Sequence, residues 1–158
     1  MTQQHPDEKQ VDGTHYKSQA VQHWTYVLAN SVPYMEAQIL KYVSRHRLKG
    51  GNSDLRKAQH FIEKLISWEQ EHPGVEVTEV PEHYPHFMDW IRGMQGTSFN
   101  PSLEEIECMN LVRFWRRGNG TTWLQAAHSA IKLMIERATV AGAEDGEEPQ
   151  PQGYVDQG

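Results

Sequence analysis

The chain has 158 residues, 37% of them apolar, a single cysteine and a formal net charge of -6. That length suits one domain with a modest core, or two very small ones, and the lone Cys108 excludes an internal disulfide and fits a reducing cytosol. No run longer than a few residues is continuously apolar, which excludes a membrane span, and the opening MTQQHPDEKQVDG has the layout of neither a secretion signal nor a transit peptide.

Residues 1–14 are too polar to fold, and His15-Tyr16 is the first point expected to be ordered. Ala20, Trp24, Val27 and Leu28 predict a short amphipathic helix ending near Asn30; Ser31-Val32-Pro33 then suits the start of another, with proline in the first turn. From Ala37 to Ile66 two helical patterns meet at Gly50-Gly51. The first sets Ile39, Val43 and His46 near one face and Lys41 and Arg45 on the other. The glycines stop it, and Asn52, Ser53 and Asp54 offer side-chain oxygens to cap the second, whose apolar stripe runs through Leu55, Ala58, Ile62, Leu65 and Ile66.

The same stretch gathers seven cations, Lys41, Arg45, Arg47, Lys49, Arg56, Lys57 and Lys64, against only Asp54 and Glu63. In an acidic chain such a local excess points to an anionic partner, and a helix that opens at a glycine turn adds free N–H groups and a partial positive charge. Residues 72–82 read as a linker in which Val75, Val77 and Val80 hint at extended chain.

Beyond the linker the pattern recurs. A shift of 69 residues pairs Glu36 with Glu105, Val43 with Val112, Arg47 with Arg116, Gly51 with Gly120, Leu55 with Leu124, Ala58 with Ala127 and Ile62 with Ile131. Upstream, His15-Tyr16 matches His83-Tyr84 and Trp24 matches Trp90, while Ser102-x-x-Glu105 and Thr122-x-x-Gln125 fit capping boxes. Residues 15–71 and 83–139 are therefore read as two copies of a three-helix unit in an all-α domain of about six helices, packed around a pseudo-twofold axis. The competing reading is that two amphipathic hairpins align this well without common origin. The copies differ in polar groups: Lys41, Arg45, Asp54 and Lys57 match Asn110, Phe114, Trp123 and Ala126. One site in the first copy is expected, with the second as scaffold. Residues 140–158 form a tail whose five acidic residues have no basic counterpart; it reads as disordered and leaves the folded part near neutral.

His15-Tyr16, Trp24, Ile39-Leu40-Lys41-Tyr42, Arg45, Lys49, Asp54-Leu55-Arg56-Lys57-Ala58, Phe61, Lys64, Leu65 and Ile66 resemble a family of small phage proteins related to the nucleotide kinase of phage T7. The likeness covers roughly residues 15–70, and Ala37-Gln38 stands where the family has Gly-Asn. It implies a nucleotide partner, a nucleoside monophosphate kinase-like activity with ATP and magnesium, and the cytoplasm of an infected host cell.

No G-x-x-x-x-G-K-[ST] loop occurs, so phosphoryl transfer would rest on side-chain cations and a helix terminus. Asp54 and Lys57 are the candidate catalytic pair; His15, Tyr16, Trp24, Lys41, Tyr42, Arg45, Lys49, Asn52 and Phe61 are the candidate nucleotide-binding set. Against this stand bland readings, in which Lys41 and Arg45 belong to a solvated face, Asp54 is a cap and the aromatics are core. The alternative function is a non-catalytic module that sequesters a nucleotide, a counter-defence sponge. No resident metal is assigned: Glu104-x-x-Glu107 resembles half of the carboxylate set of all-α nucleotide pyrophosphohydrolases but lacks a second pair, and His83-x-x-His86 has no accompanying ligands. Sequence-specific DNA binding is not expected from a near-neutral fold with an acidic tail, and so small a hairpin unit is expected to complete its core as a homo-oligomer.

Overall fold

The computed structural model describes residues 19–73 and 81–141, which form six α-helices and, among the described residues, no strand. Helix α1 (His23–Asn30) ends where Ser31 turns left-handed at φ 47°, and α2 (Tyr34–Arg45) starts directly after Pro33, whose ring presets the entry. Helix α3 (Gly51–Glu71) follows a tight turn, and α4 (Phe87–Met94), α5 (Leu103–Arg113) and α6 (Thr121–Val140) repeat the order. The anticipated disorder of residues 1–14 and of the tail beyond 141, and the extended chain at Val75, Val77 and Val80, lie outside the described residues.

The apolar stripes dictate the packing. Ile39, Leu40 and Val43 of α2, Leu55, Ala58 and Ile62 of α3, Cys108, Met109 and Val112 of α5, and Leu124, Ala127 and Ile131 of α6 are buried almost completely, each larger side chain contributing about 1.5–3 kcal/mol. Helix α3 packs on α2 and α6, and α5 on the same two, so the four long helices close a ring in the order α2, α3, α6, α5; α1 touches α4. Tyr26 of α1 stacks on Trp90 of α4 with ring centroids 5.3 Å apart. Each is the fourth residue of its helix. The sequence alignment instead set Trp24 against Trp90, yet Trp24 is 46% exposed and Trp90 buried, so the counterpart of Trp90 is Tyr26. No helix of the described residues is long and apolar enough to cross a membrane.

The two hairpin turns are built alike. Gly51 sits at φ 54° with its N–H on the His46 carbonyl at 2.7 Å, and Gly120 at φ 55° with its N–H on the Trp115 carbonyl at 3.2 Å. Left-handed backbone at these points favours glycine. The glycine opens the second helix of each hairpin rather than closing the first, which corrects the cap assignments: Gly50 and Gly120 are the N-caps, with no side-chain cap bond, and Asn52, Ser53, Asp54 and Thr122 lie inside the first turns. Ser102 does cap α5, accepting from the Glu105 N–H at 3.2 Å.

The Glu105 carboxylate, however, faces the other unit. It accepts from Arg47 Nη2 at 3.1 Å and lies 3.4 Å from His46 Nε2. Reciprocally Glu36, 1% exposed, accepts from Trp115 Nε1 at 2.9 Å and pairs with Arg116 Nη1 at 2.5 Å. The three pairs Glu36/Glu105, His46/Trp115 and Arg47/Arg116 all obey the 69-residue shift, so each hairpin turn grips the buried glutamate of the other hairpin. Arg47 and Arg116 are structural cations, committed between the neighbouring helices α2 and α5 rather than offered to a ligand.

Candidate functional site

On the outer side of the α2–α3 hairpin three cations close on one ring. Lys41 Nζ lies 4.9 Å, Arg45 Cζ 5.0 Å and Lys57 Nζ 5.6 Å from the centroid of Tyr42. The helical repeat explains the gathering: Lys41 and Arg45 are one turn apart on α2, as are Asp54, Lys57 and Phe61 in succession on α3, and the glycine turn folds one stripe onto the other. Phe61 stacks on Tyr42 with centroids 6.1 Å apart and planes 20° apart, and it meets the edge of Tyr34 at 6.3 Å. Tyr42 is thus the floor of a cationic patch and Phe61 the wall behind it.

Asp54 organises the patch from below. Its carboxylate, 1% exposed, accepts a fork from Arg45, Nε to Oδ2 at 3.0 Å and Nη2 to Oδ1 at 3.3 Å. Gly50 makes this possible, because a Cβ there would occupy the space of the Asp54 carboxyl. Asp54 is therefore neither a helix cap nor an exposed group able to orient a hydroxyl; it fixes the guanidinium. Paired with Asp54, Arg45 adds less net charge to the patch than the sequence suggests.

Lys41 carries the consequence. Burial pushes its ammonium below the ordinary lysine range, the Arg45 charge pushes the same way, Asp54 partly opposes, and Lys57 and Lys49 depress it further. A half-buried cation among like charges is stabilised by any anion that enters, which is the electrostatic signature of an anion site.

His23 of α1, which no sequence pattern singled out, borders this patch. Its Nε2 lies 2.8 Å from the Ala37 carbonyl, a contact that fits a neutral ring donating from Nε2, and burial, joined by Lys41 and Arg45, holds its pKa down at about 4. Between its ordinary value of 6.5 and 4 the unfolded chain binds a proton that the folded one refuses, so stability should fall as pH drops through that window, by about 3 kcal/mol at most. Urea midpoints at pH 7.5 and pH 5 check this: His23→Gln should shrink the difference between the two midpoints, and an unchanged difference would exclude His23 as its source.

The other predicted residues are placed as follows. Lys49 is exposed in the turn and acts on Lys41 through its charge. Trp24 is half-exposed on α1. Asn52 is buried, with Nδ2 3.5 Å from Thr139 Oγ1 of α6. His15 and Tyr16 lie outside the described residues. The structure thus brings Lys41, Tyr42, Arg45, Asp54, Lys57 and Phe61 together.

At the turn of the α5–α6 hairpin Asn110, Phe114, Trp123 and Ala126 stand where the first hairpin has Lys41, Arg45, Asp54 and Lys57. Trp123 fills the space beside Gly118 as the Asp54 carboxyl does beside Gly50, and Arg113 and Arg117 lie over Phe114 at 5.1 and 5.0 Å. Elsewhere Glu104 is engaged by a fork from Arg137 at 2.7 and 2.9 Å, and His86 bonds Asp89 at the start of α4. A cleft of about 400 Å³ between α3 and α6 is lined by Glu63, Ser67, Gln125 and His128, with His128 Nε2 2.9 Å from Glu63 Oε1. Cys108 is a core residue whose thiol burial pushes up to about 12, far from thiolate reactivity. No family model, no curated protein and no solved structure matches this chain.

Proposed function

We propose that the protein binds a nucleotide through its phosphates at the α2–α3 hairpin, with Lys41 and Lys57 as the principal phosphate-holding cations and Arg45 as a positioned neighbour. The observation that carries this reading is the closure of three cations on the single ring of Tyr42, with one carboxylate among them. Phosphate recognition needs positive charge aimed at non-bridging oxygens, and the patch supplies it without a phosphate-binding loop. We read residues 15–71 as the ligand-holding unit and residues 83–139 as a duplicate that has kept the glutamate grip and the glycine turn and has Asn110, Phe114, Trp123 and Ala126 in place of Lys41, Arg45, Asp54 and Lys57.

Holding is favoured over phosphoryl transfer. The carboxylate that pairs with the patch among the described residues, Asp54, is buried in its contact with Arg45 and has no route to a substrate hydroxyl. The protein accordingly acts as a nucleotide-sequestering module. The kinase-like alternative predicts nucleoside diphosphate from ATP and a deoxynucleoside monophosphate, and that product would displace the sequestering reading.

Calorimetric titration with ADP tests the site itself. Lys41→Ala should weaken binding by about ten-fold or more, the value of one charge-assisted contact, without lowering the melting temperature, since the side chain is only partly buried. Absence of any melting-temperature shift with millimolar nucleotides would rule out nucleotide binding.

A further inference from the structure

Resting on the phosphate site proposed above, we infer that its ligand is a nucleoside diphosphate or longer polyphosphate, whose base stacks on the outward face of Tyr34 while the terminal phosphates reach Lys41 and Lys57. Three aromatic rings run in a line along the hairpin. Tyr42 has the cations around it and Phe61 stacked on it, so it has no room for a base; Phe61 is sandwiched between Tyr42 and the edge of Tyr34. Tyr34, at the far end of the line, is 68% exposed and presents the one open aromatic surface of the three. A large aromatic ring in water beside a cationic patch is the arrangement that takes a base by stacking.

Spacing sets the ligand's length. Tyr34 and Lys41 are seven residues apart on α2, hence on one face and about 10.5 Å apart along the axis. A ligand that touches both must extend over two helical turns. With the base and ribose at the Tyr34 end of this span, a second phosphate extends the ligand further toward Lys41 and Lys57.

Titration of the full chain with ADP, AMP and inorganic pyrophosphate tests the assignment. ADP should bind about ten-fold tighter than either of the others, the gain over pyrophosphate coming from stacking and the gain over AMP from reach. Tyr34→Ala should bring ADP to within about two-fold of pyrophosphate and leave pyrophosphate unchanged, while Tyr34→Phe keeps the wild-type order; at an exposed position neither change threatens folding. An ADP preference that survives Tyr34→Ala, or pyrophosphate binding as tightly as ADP, overturns the base assignment and leaves the phosphate site standing. AMP matching ADP overturns the length argument. If neither ADP nor pyrophosphate binds at millimolar concentration, the phosphate site falls as well.

Discussion

Arg116→Met should lower the unfolding free energy by about 3 kcal/mol, near the bottom of the range for breaking a buried ion pair, because the arginine side chain itself is 25% exposed. The loss comes from what remains. Glu36 is 1% exposed, its Oε1 is held by Arg116 and by the Trp115 indole, and without the guanidinium only one neutral donor faces a carboxylate enclosed by core. In urea the midpoint should fall by roughly 1.5 M with an unchanged slope. Glu36→Gln combined with Arg116→Met should recover much of the loss, since no charge is then left enclosed. Arg47→Met, at the equivalent place, should cost less: Arg47 is 48% exposed and Glu105 keeps His46 close by. A midpoint shift below about 0.3 M for Arg116→Met would mean that the carboxylate is hydrated or protonated in place and that the cross-unit grip contributes little.

That grip also shows where sequence reading stops. The helical period exposes every long helix through stripes such as Leu55, Ala58, Ile62 and Leu65, and the shift of 69 residues aligns Glu36 with Glu105 and Arg47 with Arg116. Alignment says which residues occupy equivalent places; it does not say which touch. Glu36 reads as an ordinary acid in a first helical turn, and only the closed ring of helices reveals that its partners lie 79 and 80 positions downstream. Charge counting likewise treats Arg47 as one more member of a basic patch, whereas three-dimensional packing removes it. The Lys41, Arg45 and Lys57 cluster was legible because a glycine turn between two amphipathic helices leaves few ways to fold one polar stripe on the other. His23 was not, since a lone histidine 14 residues from its hydrogen-bond partner leaves no periodic trace. The caps differ from the sequence pattern for a local reason: a left-handed glycine can begin a helix as readily as end one, and at Gly51 it begins α3 three residues ahead of Asp54.

Asp54→Asn should move stability and ligand affinity in opposite directions. The variant keeps the shape that fits against Gly50 but removes the counter-charge of Arg45, so about 3 kcal/mol of stability should be lost, near the bottom of the range for a buried pair with one partner neutralised. The same change takes the Asp54 charge away from the guanidinium. Asp54 favours the charged form of Lys41, and once it is neutral an incoming polyphosphate meets a larger positive field and a guanidinium no longer forked onto a carboxylate of Asp54. Affinity for ADP should rise by up to about ten-fold, the worth of one further charge-assisted contact, with the gain shrinking as salt is raised. A catalytic Asp54 predicts otherwise: binding unchanged and phosphoryl transfer abolished. Weaker binding in Asp54→Asn, measured well below its melting temperature, would show that Arg45 must be held by Asp54 for the site to exist at all, and the carboxylate would then be a positioning residue rather than a brake.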